Sequence, residues 1–339
     1  MQPSPLPQPL RGIVPPMVTP LADPDRLDVP GVERLIDHIL GAEVSGLFIL
    51  GTTGEGPSLG YRLRQELIEV VSERVAGRVP VLVGVSDSAF AESVALAEFA
   101  ADAGVSAVVL APPYYYAARQ EELARYVQHF AAASPLPVFL YNLPSLTKTT
   151  FEFDTLRRLI ETPNIVGLKD SSANMIYFHG VRRLVGTRPG WSLLVGPEEL
   201  LAESVLFGGD GGVCGGANLF PRLYVDLYRA ARDGDLARTR KLHDDVIRIA
   251  AALYALPGHG APVTAGIKGV LACWGLCRDV LAEPFGPLSE NHRQHIRGRL
   301  EGLGESWASA AAAAATKGEP AVSATPDRMA SAARDPMSP

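Results

Sequence analysis

The chain has 339 residues, of which 47% are hydrophobic and 20% are charged, so it contains enough apolar material for a sizeable core. Its 31 basic and 37 acidic residues give a formal net charge of -6 without a basic block, which argues against nucleic acid and anionic membranes as partners. No apolar stretch approaches the roughly 20 residues that span a bilayer. The N-terminal stretch MQPSPLPQPLRG has one arginine and no apolar core, unlike a secretory signal, and we expect a cytoplasmic location.

A repeating pattern of a short apolar run, a turn and a helical stretch occupies about residues 12–216. The apolar runs do not alternate with polar residues, which indicates strands buried on both faces, as in a parallel sheet covered by helices. Eight such units predict an α/β fold, a (β/α)8 TIM barrel, rather than an open sheet. The runs lie at 12–20, 46–51, 80–85, 107–112, 136–142, 165–170, 191–196 and 211–216.

The remainder of the chain is helical and then loses its periodicity. More helix follows the eighth run than one closing barrel helix requires, so we expect the barrel to end near residue 235 and a C-terminal helical extension to cover about 236–303. Residues 1–10 are rich in proline, and residues 304–339 contain an alanine run followed by a stretch with Gly, Pro, Ser and Thr. We expect both ends to be disordered tails of one structured domain over 11–303.

Lys169 lies in the stretch NIVGLKDSSAN, directly after an apolar run. An ammonium group is costly in a strand that is buried on both faces. Two interpretations are open from the residues alone. Lys169 either reaches water just past the buried part, or it is kept partly desolvated, with a lowered pKa, so that its free amine can attack a carbonyl.

Other strand ends carry residues that would face the same mouth of a barrel, where catalytic groups gather. GTTGE, beginning at Gly51, is either a plain loop or a small anion cradle made of backbone N–H groups beside the hydroxyls of Thr52 and Thr53. Tyr141 ends the strand next to that of Lys169 and either packs or faces the cavity. The three tyrosines at 114–116 cannot all point inward, so at least one should seek a partner outside its own barrel.

Several further groups have less specific signals. Glu55 and Asp170 are candidate acids, or else a helix cap and an anchor for the strand end. The glycine-rich stretch 208–218 leaves room for a substrate, an interpretation favoured over a phosphate cradle because no lysine or arginine lies close by. Three cysteines argue against a disulfide framework, and His292 and His295 lack companion ligands, so no metal site is predicted.

The conjunction of GTTGE, PPYY, YNLP, GLKD and GGDGG, in that order, resembles the class I pyruvate-dependent aldolase family that includes N-acetylneuraminate lyase and dihydrodipicolinate synthase. The resemblance covers about residues 11–300. It implies that Lys169 forms an iminium with the ketone of a 2-oxo acid, and that the Gly51, Thr52 and Thr53 turn holds the carboxylate of pyruvate. It also implies that the backbone of Val213 forms the remaining wall. No cofactor or metal is expected, because the iminium supplies the electrophile.

The resemblance also implies how protons move and how subunits assemble. Tyr141 would shuttle protons during imine formation and to or from the oxygen at C4. The phenol would communicate through Thr52 with a tyrosine of a neighbouring subunit, and Tyr115 is the matching position. A relay shared between subunits implies an oligomer, which in this family is usually a homotetramer built as a dimer of dimers.

Members of the family share pyruvate and differ in the second substrate. Dihydrodipicolinate synthases usually carry an arginine two residues after the proline of YNxP, where this chain has Leu146, so synthesis from aspartate semialdehyde loses its main support. Leucine at this place resembles the sugar-acid aldolases. The stretch GPEE aligns with the acidic GYDE motif of sialic acid lyases, so Glu198 and Glu199 are expected to bind sugar hydroxyls, with Ser171 facing the polyol chain.

Sialic acid itself fits less well. Gly215 stands where those lyases carry a serine, and Pro197 replaces the tyrosine of the motif. The resemblance therefore predicts cleavage of a 2-keto-3-deoxy sugar acid to pyruvate and an aldehyde. The alternatives are 4-hydroxy-tetrahydrodipicolinate synthesis, a sugar-acid dehydratase that uses the same iminium, and a noncatalytic 2-oxo acid binding protein.

Overall fold

The computed structural model describes residues 4–186 and 188–303. The predicted C-terminal tail at 304–339 therefore lies outside the described residues. Ten strands are found within them. They are β1 (Gly12–Ile13), β2 (Leu21–Asp23), β3 (Arg26–Leu27), β4 (Leu47–Ile49), β5 (Val81–Gly84), β6 (Ala107–Leu110), β7 (Val138–Asn142), β8 (Ile165–Asp170), β9 (Ser192–Val195) and β10 (Gly211–Gly212).

Eight of these strands form one parallel sheet in the order β1-β10-β9-β8-β7-β6-β5-β4, and β2 and β3 form a separate antiparallel hairpin. The edges of the sheet meet beyond β1. The backbone N–H of Phe48 donates to the carbonyl of Pro15 at 3.0 Å, and the N–H of Met17 donates to the carbonyl of Phe48 at 2.8 Å. These bonds close the sheet, so the predicted (β/α)8 barrel is confirmed and each predicted apolar run contains one of its strands.

Twelve α-helices surround and extend the barrel within the described residues. Side-chain caps begin several of them: Asp28 accepts from Gly31 N at 3.1 Å, Asn174 from Tyr177 N at 3.1 Å, and Asp235 from Arg238 N at 3.0 Å. The helices are α1 (Val29–Leu40), α2 (Tyr61–Val75), α3 (Phe90–Asp102), α4 (Gln120–Ala133), α5 (Pro144–Thr147), α6 (Phe153–Ile160), α7 (Met175–Val185), α8 (Leu201–Leu206), α9 (Pro221–Arg232), α10 (Leu236–Leu253), α11 (Pro262–Cys273) and α12 (Glu290–Leu303).

The helices after α9 form the C-terminal extension that the sequence predicts, here α10, α11 and α12. Their apolar faces join the large core between the sheet and the helices, through residues such as Ile249 and Val270. A smaller cluster includes Phe48, Val109, Tyr141 and Val213, which belong to four different strand regions and fill the barrel interior. Among the described helices none is long and apolar enough to cross a membrane.

The chain before β1 differs from the expectation of a disordered segment over 1–10. Leu10 is buried in the interior cluster, and its N–H donates to Ser192 Oγ at 2.8 Å. The carbonyl of Ser4 accepts from Ser106 Oγ at 2.8 Å. Residues 4–10 therefore lie across the amino-terminal end of the barrel, since Ser192 and Ser106 stand at the starts of β9 and β6 and burial of Leu10 adds apolar contact there.

Candidate active site

Lys169 and Tyr141 lie side by side on adjacent strands. The parallel register of β7 and β8 pairs the two residues directly. The Lys169 Nζ lies 4.1 Å from the centre of the Tyr141 ring and 5.1 Å from that of Phe48, and Lys169 is only 6% exposed. Of the two interpretations of Lys169, the one in which it runs out into water is therefore wrong. The ammonium sits against aromatic faces inside the barrel mouth.

The phenol of Tyr141 contacts the turn that follows β4. Its oxygen lies 3.3 Å from Thr52 Oγ1, and either atom can be the donor. Burial raises the pKa of Tyr141, but the charge of Lys169 and hydrogen bonds with Thr52, Ser171 and Lys169 outweigh burial, and the pKa is lowered. The Tyr141 phenol thus loses its proton at a lower pH than an ordinary tyrosine.

A cavity of about 200 Å³, which Tyr141 lines, opens at the carboxyl ends of the strands. Its size suits a small metabolite rather than a polymer. The wall combines glycine backbone, aromatic rings and a few polar side chains. It includes Phe48, Gly51, Thr52, Arg64, Ser86, Val109, Tyr114, Tyr141, Leu143 and Leu146.

Arg64 is a member of this wall that sequence analysis missed. It lies on α2, where Leu63 and Leu67 are also buried. Its Nη1 donates to Asp87 Oδ2 at 3.1 Å and its Nε to the carbonyl of Leu59 at 2.8 Å. The sequence could have revealed Arg64 as a basic residue on the apolar face of a helix, but this pattern alone does not place the side chain at a cavity.

Two further predicted residues, Val213 and Ser171, lie close to Tyr141 without lining the cavity. Val213 follows β10, is buried in the interior cluster with Tyr141, and donates its N–H to Val195 at 2.8 Å. Thr53 and Ser171 are half-buried. The hydroxyl of Ser171 packs so closely on Gly196 that a Cβ there would lie 1.9 Å from it. A side chain at position 196 would therefore displace the hydroxyl of Ser171.

Two predicted residues are largely exposed. Leu146, at 55% exposure, lies on α5 and still lines the cavity. Tyr115 is 76% exposed and stacks edge-on against Tyr116, with ring centres 4.9 Å apart, whereas Tyr114 is the tyrosine that lines the cavity. The expectation that the three rings cannot all point inward is confirmed.

Glu198 does not have the free carboxylate that the sugar-binding prediction requires. Its Oε1 accepts from Tyr224 Oη at 2.5 Å and Tyr254 Oη at 2.7 Å, and its Oε2 accepts from Gly216 N at 2.7 Å. The two tyrosines belong to α9 and to the end of α10, so these helices cover the residue, which the motif alone does not reveal. The described contacts thus speak against Glu198 as a ligand for sugar hydroxyls, whereas Glu199 is half-buried.

The two other candidate acids, Asp170 and Glu55, both make contacts that hold the protein structure together. Asp170 Oδ1 accepts from Asn142 Nδ2 at 2.8 Å, and Oδ2 accepts from Ser172 Oγ at 3.0 Å, which agrees with an anchor for the strand end. Glu55 makes no side-chain cap. It instead forms a buried ion pair with Lys268 of α11, a residue that sequence analysis did not consider. Within the described residues no group of three His, Cys, Asp or Glu side chains could hold a metal ion.

Comparisons with known proteins place the chain in a family. Residues 9–302 match the Dihydrodipicolinate synthetase family. The 4-hydroxy-tetrahydrodipicolinate synthase of Thermomicrobium roseum is 34% identical over 86% of this chain and 94% of its own length. The putative 2-dehydro-3-deoxy-D-gluconate aldolase YagE of Escherichia coli is 32% identical over 86% of this chain and 96% of its own.

Solved structures extend the likeness to the fold. The dihydrodipicolinate synthase of Bacteroides thetaiotaomicron matches with a TM-score of 0.84 and 48% identity, over 87% of this chain and 99% of that chain. YagE in complex with pyruvate matches with a TM-score of 0.81 and 31% identity, over 86% and 98%. The chain belongs to the dihydrodipicolinate synthetase family. It is a carbon–carbon lyase of the pyruvate-dependent class I aldolase type.

The contacts of Glu198 generate a prediction about pH. Burial raises its pKa above the ordinary 4.5, although bonds from Gly216, Tyr224 and Tyr254 oppose the rise. The folded protein therefore keeps a proton that the unfolded chain has lost. Between pH 4.5 and the raised pKa, the free energy of unfolding of the wild type should fall with rising pH relative to that of Glu198→Gln, by at most about 1.4 kcal/mol per pH unit.

Urea denaturation of both proteins at a series of pH values measures this difference. Glu199→Gln, which removes a carboxylate from the same turn, is the matched control. A difference between wild type and Glu198→Gln that does not vary with pH would contradict the assignment.

Proposed function

We propose that Lys169 is the nucleophile of the reaction. Its neutral amine adds to the ketone of a 2-oxo acid, and loss of water from the adduct leaves an iminium. The iminium accepts the electron pair of the C3–C4 bond as that bond breaks, an aldehyde departs, and protonation and hydrolysis of the enamine release pyruvate. The observation that supports this most is the burial of Lys169, with its Nζ 4.1 Å from the centre of the Tyr141 ring.

The neighbours of Lys169 have separate roles in this proposal. The hydroxyls and backbone N–H groups of the Gly51, Thr52 and Thr53 turn hold the carboxylate of pyruvate, and the backbone at Val213 limits the opposite side. Tyr141 moves protons to and from the reacting oxygens, supported by its lowered pKa and its contact with Thr52.

We propose that the aldehyde released with pyruvate has no carboxylate at the place that Leu146 contacts. The cleaved substrate is then a 2-keto-3-deoxy sugar acid. Leu146 lines the cavity and has no polar atom with which to grip a carboxylate. Ser171 and Glu199 remain candidates for hydroxyl contacts. The identity of 32% with YagE is compatible with such a substrate.

A second candidate function is synthesis of 4-hydroxy-tetrahydrodipicolinate from pyruvate and aspartate semialdehyde. The name of the Thermomicrobium roseum relative favours it. Arg64 is a basic residue of the cavity wall, but its guanidinium is already paired with Asp87 at 3.1 Å, so the name of that relative is the main support for this candidate.

We also propose that the enzyme is a homotetramer, a dimer of dimers, in which Tyr115 completes the site of a neighbouring subunit. The exposure of the Tyr115 ring outside the cavity of its own barrel supports this assignment. The ring would reach Thr52 of the neighbour and extend the proton path from Tyr141.

Trapping with borohydride tests the central step. Incubation with pyruvate and borohydride should reduce the iminium to a stable secondary amine, and peptide mass analysis should locate the added mass on the peptide with Lys169. Lys169→Arg should abolish the adduct and lower kcat by at least about 10³-fold, because the nucleophile is lost while the charge remains. An adduct on another peptide would refute the assignment.

A substrate panel tests the choice of second substrate. Release of pyruvate from 2-keto-3-deoxy sugar acids should be faster than condensation of pyruvate with aspartate semialdehyde. Leu146→Arg should shift the ratio of kcat/KM toward aspartate semialdehyde by about tenfold or more, since a bidentate contact with its carboxylate becomes possible. Rapid condensation by the wild type and inertness toward sugar acids would favour the second candidate. Product mass separates cleavage from loss of water.

Subunit mixing tests Tyr115. Tyr115→Phe and Lys169→Arg should each be nearly inactive, yet a mixed dimer contains one site with an intact lysine and an intact neighbouring tyrosine. Random mixing in equal amounts should restore activity to about a quarter of the sites, because half of the dimers are mixed and each has one complete site. A mixture no more active than its components would show that Tyr115 does not act across subunits.

A further inference from the structure

Lys268 and Glu55 form an ion pair that is shut away from solvent. Lys268 lies in the middle of α11 and is 0% exposed, and Glu55 is also buried. The Nζ of Lys268 pairs with Glu55 and also donates to the carbonyl of Val280 at 2.7 Å. The other oxygen of Glu55, Oε1, accepts from Ala282 N at 2.8 Å. The two side chains thus join the C-terminal extension to the loop after β4.

Such a pair adds little stability. Removing two charges from water costs several kcal/mol per ion, and apolar side chains of similar volume in the same place are often as stabilising or more so. Burial lowers the pKa of Lys268, and Glu55 opposes that fall. What an ion pair offers over an apolar contact is direction, because it fixes the position of the carboxylate against particular donors.

Glu55 occupies a sensitive place in the turn. Its backbone is in the left-handed region, with φ of 57°, and its N–H donates to the carbonyl of Thr52 at 3.1 Å. The preceding carbonyl, that of Gly54, accepts from Thr19 Oγ1 at 2.7 Å. Hydrogen bonds thus hold the backbone on both sides of Glu55, so its side chain and the position of Thr52 are coupled.

The turn has little freedom to relax by itself. A Cβ at Gly56 would lie 2.1 Å from the carbonyl oxygen of Leu50, and one at Gly84 would lie 2.3 Å from the same atom. Leu50 also has a positive φ, 58°. Because neighbouring backbones are in such close contact, a shift of Glu55 is transmitted to Thr52 and its hydroxyl rather than absorbed.

We propose that Lys268 is a positioning residue for the active site: through its ion pair with Glu55, the C-terminal extension holds the turn that binds the carboxylate of pyruvate. The contacts run from Lys268 to Glu55, from Glu55 to Thr52, and from Thr52 to Tyr141. This inference rests on the proposed function, which assigns the turn to the carboxylate. Loss of the ion pair should therefore weaken the binding of pyruvate more than it impairs the reaction of Lys169.

Lys268→Met and Glu55→Gln test the inference, each removing one charge. The KM for pyruvate should rise by about tenfold or more, the effect of losing one hydrogen bond to a charged group, while kcat at saturating pyruvate falls by less than about threefold. Borohydride should still trap the adduct on Lys169 at saturating pyruvate in both variants.

Val270→Ala is the matched control. It removes two methyl groups from a fully buried side chain of the same helix, two positions from Lys268, and leaves the ion pair intact. It should lower the melting temperature without changing the KM for pyruvate. If the ion pair only stabilises the fold, Lys268→Met should likewise lower the melting temperature and leave the KM for pyruvate unchanged. A folded Lys268→Met variant with unchanged KM would therefore overturn the proposal.

The double variant Glu55→Gln with Lys268→Met covers the case in which a single variant does not fold. With no unpaired charge left buried, it should be more stable than either single variant, yet its KM for pyruvate should stay raised. A wild-type KM in the folded double variant would also overturn the proposal. Failure of the proposed function is recognised separately, because the wild type would then give no adduct on Lys169.

Discussion

The structure of the site depends on a lysine side chain that is held against aromatic rings where little water reaches it. Lys169 is covered by Tyr141 and Phe48 at the mouth of the barrel, and the two strands that carry Lys169 and Tyr141 are in direct register. A charged ammonium in that position lowers the pKa of the adjacent phenol. An amine and a phenol on a loop would be hydrated and mobile, so the barrel supplies position as well as an apolar surrounding.

The rest of the chain keeps this arrangement in place from several directions. The seam between the segment after β1 and β4 fixes Phe48 through two backbone hydrogen bonds. Asp170 and Asn142 tie together the residues that follow Lys169 and Tyr141 on their strands. The extension reaches the site from outside, through Tyr254 to Glu198 and through the ion pair of Lys268 with Glu55. The C-terminal helices thus contact the loop after β9 and the loop after β4, and the loop after β4 lines the cavity.

Different parts of the site were predictable to different degrees. Lys169, Tyr141 and the Thr52 turn were predictable because each follows an apolar run, and parallel strands bring their carboxyl ends to one edge. Glu198 was misassigned because the motif GPEE shows an acidic residue at a strand end but not the tyrosines that cover it. Lys268 was overlooked because it stands in an apolar helix, and its partner is more than two hundred positions earlier in the chain.

The sequence by itself determined the order and type of the elements, the barrel they form and the place of Lys169 near the end of a buried strand, since hydrophobic periodicity and strand-end residues are local properties of the chain. It determined the chemical family through five short motifs in a fixed order. Only the tertiary structure decided which polar groups face the cavity and which are paired elsewhere. A carboxylate is free or taken according to donors that arrive from distant segments, such as Tyr254 at Glu198 and Lys268 at Glu55, and no local pattern records them.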